Sequence, residues 1–263
     1  MLQSERHRAS VERVLCGNRE LGVNALSPSN EPLPSLRRAK LALWLLVPMP
    51  SLGTAAAMFW WPELMIGKAL FLASKIWLIA FPLLWWRFVD RQPLSWSPPR
   101  RGGFAVAAGL GLLISLIIFA AYAMAQHFGA IDQGLIVERA AKTGLGQLAA
   151  YVAGTIYWVT LNSMLEEFVW RWFVYSKFEV LLGGKLAIVA SALAFTAHHV
   201  VALTAQFNGP IAVLASCGVF IGGATWSWLY LRYRSIWPGY VSHAIVDVAV
   251  FVLGYRLIFG GAN

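Results

Sequence analysis

Three short motifs in the C-terminal half of the chain contain the residue types that carry out acid–base chemistry. They are L-E-E-F-V-W-R at residues 165–171, F-T-A-H-H at residues 195–199 and H-A-I-V-D at residues 243–247. Carboxylates and imidazoles can take a proton from water, return it to a leaving group or bind a metal ion. The residues around them are mostly small, apolar or aromatic, so these ionisable groups stand out as candidates for a reaction centre.

The two glutamates of the first motif have different expected roles. Glu167 and Arg171 are one helical turn apart, in the acid-then-base order that suits an ion pair, so we expect them to neutralise each other. Glu166 points about 100° away on the same helix and lacks that partner. An unpaired carboxylate at low dielectric can exchange a proton near neutral pH, as a general base must. We therefore predict a catalytic Glu166, with a structural hydrogen bond as the alternative, and a supporting Glu167 and Arg171.

The chain that must position these motifs has the composition of a membrane protein. Of its 263 residues, 59% are hydrophobic and 13% are charged, whereas soluble proteins carry about 25% charged residues. A helix needs about 20 apolar residues to cross a bilayer. Seven stretches meet this requirement, at about 41–61, 65–86, 103–124, 145–173, 185–202, 210–230 and 236–259.

These stretches predict an all-α fold, a polytopic transmembrane helical bundle of about seven spans. The three motifs fall in the last four spans, which are therefore expected to form the catalytic cavity. Residues 1–40 are predicted to be a basic, mobile cytoplasmic tail and residues 41–263 the transmembrane domain. Ionisable groups at membrane depth are costly and by default indicate function.

Lys and Arg are distributed unevenly between the two ends of the predicted spans. Sixteen of the 21 fall on the side of the N-terminus and three on the other side. Basic loops face the cytoplasm, so the N-terminus is predicted to be cytoplasmic. A net charge of +9 can also indicate nucleic-acid binding. The basic tail has no aromatic residue that could stack on bases, so no nucleic-acid partner is predicted.

The distance between the first two motifs predicts that Glu166 and His199 lie at the same depth. The fourth span can continue as one helix to about Leu182, and Gly183 and Gly184 supply a turn into the fifth span. At about 1.5 Å per residue, Glu166 lies roughly 24 Å before this turn and His199 roughly 21 Å after it. The spacing therefore predicts that His199 acts together with Glu166.

Helical periodicity sorts the remaining candidates. Phe195 shares the face of His199 one turn away, whereas His198 is rotated away from that face. His243 and Asp247 are also one turn apart. Such a pair can be a hydrogen bond that fixes the imidazole tautomer, a pair of metal ligands or a set of donors for an oxyanion, and local spacing does not choose among these.

Taken in order, the motifs resemble those of a known protease family. E-E-x-x-x-R, then F-x-x-x-H, then H-x-x-x-N/D preceded by a Ser-Ile-Trp-Pro-like segment (residues 235–238) are similar to the CAAX protease and bacteriocin-processing family, the prenyl-protein protease-like intramembrane proteases. The resemblance extends over about residues 145–259, which is less than half of the chain. It implies an intramembrane endopeptidase that acts on a membrane-associated or lipidated protein or peptide.

The resemblance also implies roles for individual residues. Glu166 would be the base that activates water, and His199 and His243 would be further catalytic groups. Asp247 stands where many family members have Asn. An Asn amide can donate a hydrogen bond to an oxyanion and an ionised Asp cannot, so Asp247 is protonated, orients His243 or binds a metal ion.

Metal dependence stays open at the level of sequence. The chain has no H-E-x-x-H motif. His199, His243 and Asp247 would nevertheless make an acceptable three-ligand zinc set with one open position. The family itself has been described both as metalloproteases and as metal-independent glutamate proteases. Zinc is therefore a candidate cofactor, and the mechanism is either a glutamate or a metallo mechanism.

The alternative function is a membrane scaffold or a transporter-like protein that uses the polar cavity for binding without bond cleavage. Lys75, an ionisable residue inside the second span, favours a transporter. The sequence shows no inverted repeat and no paired broken helices, which are typical of transporters. In either interpretation the expected partners are membrane lipid and, for the protease, a membrane-associated protein or peptide.

Overall fold

The computed structural model describes residues 36–93 and 95–260, and these belong to one compact unit. Residues 1–35 of the predicted tail lie outside the described residues. Residues 36–40 are described, and they form the start of the first helix. The first helix therefore begins at Leu36, before the predicted first span at about residue 41, and its first turns include the charged residues Arg37, Arg38 and Lys40.

Eight helices make up the described part of the chain, and it contains no β-strand. They are α1 (Leu36–Trp60), α2 (Met65–Val89), α3 (Phe104–His127), α4 (Gln133–Lys142), α5 (Leu148–Leu182), α6 (Gly184–Gln206), α7 (Gly209–Tyr233) and α8 (Ile236–Phe259). All except α4 are long and apolar enough to cross a membrane. The prediction of an all-helical, polytopic bundle with seven spans is confirmed.

The longest span is α5, with 35 residues, and the middle of its second half lies in the core. Every residue from Val169 to Tyr175 is buried. The predicted continuation of this helix to Leu182 is confirmed, and α6 returns from Gly184. Gly183 has φ 78° at the turn, a left-handed conformation that glycine adopts at little cost.

Two π-helical stretches interrupt the α-helical geometry of α5. π-helical turns occupy Tyr157–Asn162 and Phe168–Tyr175, and they flank a short α-helical segment, Ser163–Glu167. A π-helical turn is rare, often occurs at functional sites and changes the direction of the side chains that follow it. The two glutamates of the first motif lie in the segment between these turns.

Two ion pairs hold the end of the bundle near Gly183. Arg234 donates two hydrogen bonds to the Glu179 carboxylate, at 2.7 and 2.8 Å. The Lys177 ammonium pairs with Asp90, and both side chains are 1% exposed. These contacts tie α5 to the end of α7 and to the end of α2.

The loop that follows α2 fixes the beginning of α8. Ser235 donates a hydrogen bond from Oγ to the Ser97 carbonyl oxygen at 2.6 Å, and Ser97 Oγ accepts one from the Ile236 backbone N–H at 3.0 Å. These bonds satisfy backbone groups at the helix N-terminus. Because α8 carries the third motif, the loop helps to position it.

Candidate active site

The α5–α6 hairpin brings a carboxylate and two imidazoles together. One potential ligand atom from each of Glu166, His198 and His199 lies within 4.8 Å of the other two. Glu166 is 7% exposed and His198 is also 7% exposed. The proximity of Glu166 and His199 agrees with the depth predicted from the sequence, whereas their catalytic roles stay predictions.

The position of His198 corrects the sequence interpretation. Helical periodicity predicted that His198 points away from the site. In the structure its ring stacks on the Trp170 ring, with centroids 5.2 Å apart and planes 7° apart. Its ring centroid lies 4.0 Å from that of His199. Sequence periodicity considered α6 alone, whereas the aromatic surface of α5 holds His198 beside Glu166. The available signal was a second histidine at membrane depth.

His199 is oriented by the backbone of its own helix. Its Nδ1 lies 2.9 Å from the Phe195 carbonyl oxygen. A carbonyl oxygen only accepts, so Nδ1 carries the hydrogen and Nε2 is the nitrogen available for chemistry. The Phe195 ring lies 4.4 Å from the His199 ring, centroid to centroid, and its supporting role stays a prediction.

His243 lies between carboxylates of two helices. Its Nδ1 is 3.0 Å from Glu167 Oε1, and its ring stacks on Trp226 with centroids 3.8 Å apart. The opposite nitrogen, Nε2, is 3.7 Å from Glu166 Oε2 and 3.7 Å from Asp247 Oδ1. These gaps are too long for direct hydrogen bonds but suit groups bridged by water. His243 is thus held on one side and presents its other nitrogen to two carboxylates.

The predicted ion pair between Glu167 and Arg171 forms, with Oε1 and Nη1 3.0 Å apart and side-chain exposures of 0% and 1%. The Arg171 guanidinium also lies 4.7 Å from the Phe195 ring centroid and 5.0 Å from that of Trp226. Sequence reasoning missed the contact of Glu167 with His243. Glu167 therefore links the buried cation to a candidate catalytic imidazole.

Gly239, at the start of α8, makes room for this link. An added Cβ would lie 2.4 Å from Glu167 Oε2, and the carboxylate is already held by Arg171 and His243 at 3.0 Å. We expect Gly239→Ala to displace Glu167 and with it His243, lowering kcat/KM by about tenfold or more, since small misplacements of reacting groups are costly. Steady-state peptide cleavage and thermal unfolding of the purified protein check this.

Gly218, in the interior of α7, is the matched control for this substitution. Apart from the neighbouring residues and the nearby backbone of its own helix, no atom of the described residues lies within 4 Å of an added Cβ there. Gly218→Ala should keep full activity and leave stability unchanged or slightly higher, because alanine favours a helix more than glycine does. Equal activity losses in the two variants would contradict the proposed space requirement at Gly239.

The Ser163 hydroxyl lies between the Asp247 carboxyl and a backbone carbonyl oxygen. Ser163 Oγ lies 2.7 Å from the Trp158 carbonyl oxygen and 2.6 Å from Asp247 Oδ2. A serine hydroxyl has one proton, so it can donate only one of these bonds. Both hydrogen bonds exist at once only when the Asp247 carboxyl supplies its own proton. This arrangement favours a neutral Asp247.

The potential metal ligands differ from the set expected from the sequence. That set was His199, His243 and Asp247. Among the described residues, the group with three potential ligand atoms within 4.8 Å of one another consists instead of Glu166, His198 and His199. His198 Nδ1 is buried without a hydrogen-bond partner. Two imidazoles and one carboxylate are a donor set that suits zinc, and metal binding itself stays a prediction.

A small cavity of about 40 Å³ opens beside Glu166 between α2 and α5. Its polar lining groups are Lys75, Tyr157, Asn162 and Glu166. The site therefore includes a residue of the second span in addition to the last four spans. The sequence signal for Lys75 was a lysine inside an apolar stretch, but nothing in the sequence indicated which cavity it faces.

These features define a class of protein, a polytopic helical membrane protein with a buried carboxylate–imidazole centre. Residues 148–249 match the family model described as type II CAAX prenyl endopeptidase, Rce1-like. This match covers less than half of the chain; it agrees with the resemblance of the motifs to the CAAX protease and bacteriocin-processing family and supports a CAAX-protease-like peptidase. No curated protein and no solved structure gives a significant match.

Proposed function

We propose that this protein is an intramembrane endopeptidase that hydrolyses a peptide bond of a membrane-associated or lipidated protein or peptide. In this reaction Glu166 accepts a proton from water while the water oxygen attacks the peptide carbonyl carbon. The observation that carries the proposal is the burial of Glu166 beside His198 and His199 within a bundle of apolar helices.

The cavity and the histidines can supply the other requirements of hydrolysis. A volume of about 10–15 Å³ is enough for one water molecule, so the cavity of about 40 Å³ beside Glu166 has room for the nucleophile. Attack on the carbonyl creates an oxyanion, which hydrogen-bond donors stabilise strongly in a dry site. Protonated His199 or His243 can donate to this oxyanion, and the proton taken by Glu166 can pass to the leaving amine.

Zinc fits the donor chemistry of this site. Glu166, His198 and His199 would hold it, and it would supply Lewis-acid activation of water. We favour the metal-independent glutamate mechanism, because Glu166 needs no metal ion to accept a proton. In that mechanism a neutral Asp247 gives its one proton to Ser163, and the donors to the oxyanion are His199 and His243.

Asp247→Asn separates these mechanisms. The substitution supplies an amide donor of similar shape, so we expect cleavage to stay within a few-fold of wild type, with zinc well below one equivalent per chain in both proteins. Peptide cleavage and elemental analysis measure the two quantities. Stoichiometric zinc in the wild type would instead support the metallo mechanism. Zinc that is kept in Asp247→Asn fits Glu166, His198 and His199 as the ligands, whereas zinc that is lost together with activity would identify Asp247 as a ligand, because weakening an anionic contact lowers metal affinity.

The proposed orientation has the N-terminus in the cytoplasm. It is supported by the uneven distribution of Lys and Arg. Two of the sixteen residues on the N-terminal side, Arg171 and Lys177, are buried within α5. Without these two the ratio is fourteen to three, which still favours this orientation. The proposed partners are membrane lipid and the membrane-associated substrate, without nucleic acid.

Proteomics of membranes from cells with wild-type protein and with Glu166→Ala tests the proposed function. We expect at least one new peptide terminus, within or beside a membrane-associated segment, that is present with the wild type and absent with the variant. Equal expression of the two proteins is the required control. If the two sets of termini are identical, endopeptidase activity is rejected and the polar cavity serves binding, as in a scaffold or transporter.

A further inference from the structure

We propose that Lys75 forms a subsite for a carboxylate group of the substrate. The proposal deepens the endopeptidase function and rests on it. Lys75 lies in the middle of α2, outside the segment that matches the family model. Its side chain lines the same small cavity as Glu166, so a group bound by Lys75 lies close to the reacting peptide bond.

Lys75 is half-buried, and it differs from the two buried cations among the described residues in having no counter-ion in contact. Arg171 pairs with Glu167 and Lys177 pairs with Asp90. Within residues 36–93 and 95–260, no carboxylate lies within 4.0 Å of Lys75, and its described contact is the Phe71 ring at 5.5 Å. A lysine at membrane depth is costly unless it is paired or functional, so an anion from outside the chain would complete this site.

Glu166 does not serve as that partner, although it interacts electrostatically with Lys75. The two side chains share a cavity without forming an ion pair. A substrate carboxylate that entered this cavity would be repelled by Glu166 at low dielectric. The Lys75 ammonium offsets this repulsion and makes the cavity selective for an anion beside the base.

The remaining lining favours a carboxylate over a larger anion. Asn162 and Tyr157 offer an amide N–H and a hydroxyl as additional donors. The other lining residues, Leu78, Ile79, Leu165 and Val169, are apolar. A single ammonium matches a single negative charge, and a cavity of about 40 Å³ suits a carboxylate better than a phosphate with its four oxygens. In a peptide, this carboxylate is either the C-terminus or an Asp or Glu side chain.

Binding of three peptide probes to the full chain in detergent micelles tests the subsite without relying on cleavage. The probes are N-acetyl-Leu-Phe-Val with a free C-terminal carboxylate, the same peptide as its carboxamide, and N-acetyl-Leu-Phe-Glu carboxamide, which has only a side-chain carboxylate. Dissociation constants are measured by calorimetry for the wild type, Lys75→Gln, Lys75→Arg and Lys68→Gln. Lys68 is the matched control because it lies on the same helix, is exposed and does not line the cavity.

We expect at least one carboxylate probe to bind the wild type about tenfold or more tightly than the uncharged probe, as a charge-assisted hydrogen bond provides. Lys75→Gln should abolish this preference, and Lys75→Arg and Lys68→Gln should keep it. The probe with the higher affinity identifies the C-terminal or the side-chain carboxylate as the source.

Equal affinities of the three probes for the wild type would overturn the proposal, and so would a preference that survives in Lys75→Gln. If Lys75→Gln does not fold, Lys75→Met takes its place, since it removes the charge and keeps the apolar stem of the side chain. The proteomic experiment tests the endopeptidase function separately. If that function fails, the peptide termini are the same with the wild type and with Glu166→Ala, and this result does not depend on which probes bind.

Discussion

Glu166→Gln is expected to lower peptide cleavage by about 10²–10⁴-fold, the usual contribution of a general base, while expression and folding stay close to wild type. Glutamine preserves the size of the side chain but cannot accept the proton of the attacking water. Glu166 is buried beside His198 and His199 and has no Lys or Arg within 4.0 Å among the described residues. Its neutralisation therefore leaves no buried cation without its ion-pair partner.

Cleavage rates and thermal unfolding of the purified proteins give the two readouts for Glu166→Gln. Glu167→Gln serves as the comparison, because the two carboxylates are adjacent in sequence and differ in their contacts. An active Glu166→Gln beside a stable but inactive Glu167→Gln would mean that the roles of the two carboxylates are reversed.

Glu167→Gln is expected to destabilise the fold by about 3–5 kcal/mol, the usual effect of removing one partner of a buried ion pair. Arg171 is fully buried and would keep its charge at low dielectric without the carboxylate at 3.0 Å. The Arg171 guanidinium would keep its cation–π contacts with the Phe195 and Trp226 rings, which compensate only part of the lost ion-pair energy. Chemical unfolding in detergent measures the change.

The chain contains a matched control for this effect. Glu138 and Lys142 in α4 have the same spacing and order, at 2.7 Å, but their side chains are 60% and 67% exposed. Glu138→Gln should leave stability unchanged, because exposed ion pairs contribute little. The double variant Glu167→Gln/Arg171→Met should recover much of the stability lost in Glu167→Gln, since it removes both charges. A loss of stability in Glu138→Gln as large as in Glu167→Gln would contradict the role of burial.

The sequence by itself determined the helical, membrane-spanning architecture, because apolar stretches of about 20 residues have one stable arrangement in a bilayer. It also predicted the Glu167–Arg171 pair and the equal depth of Glu166 and His199. Both depend on local helix geometry. The ion pair follows from a spacing of four residues, and the equal depth follows from the number of residues on each side of the turn at Gly183. Such relationships need no knowledge of the other helices.

The tertiary structure alone decided how the side chains of different helices meet. Periodicity within α6 predicted that His198 points away from the site, but stacking on Trp170 of α5 holds the His198 ring in the site. The contact between Glu167 and His243 depends on Gly239, whose missing side chain lets α8 approach α5. Lys75 joins the site only because α2 lies against α5. Distances between helices depend on packing and on the azimuthal rotation of each helix, which sequence spacing within a single span does not specify.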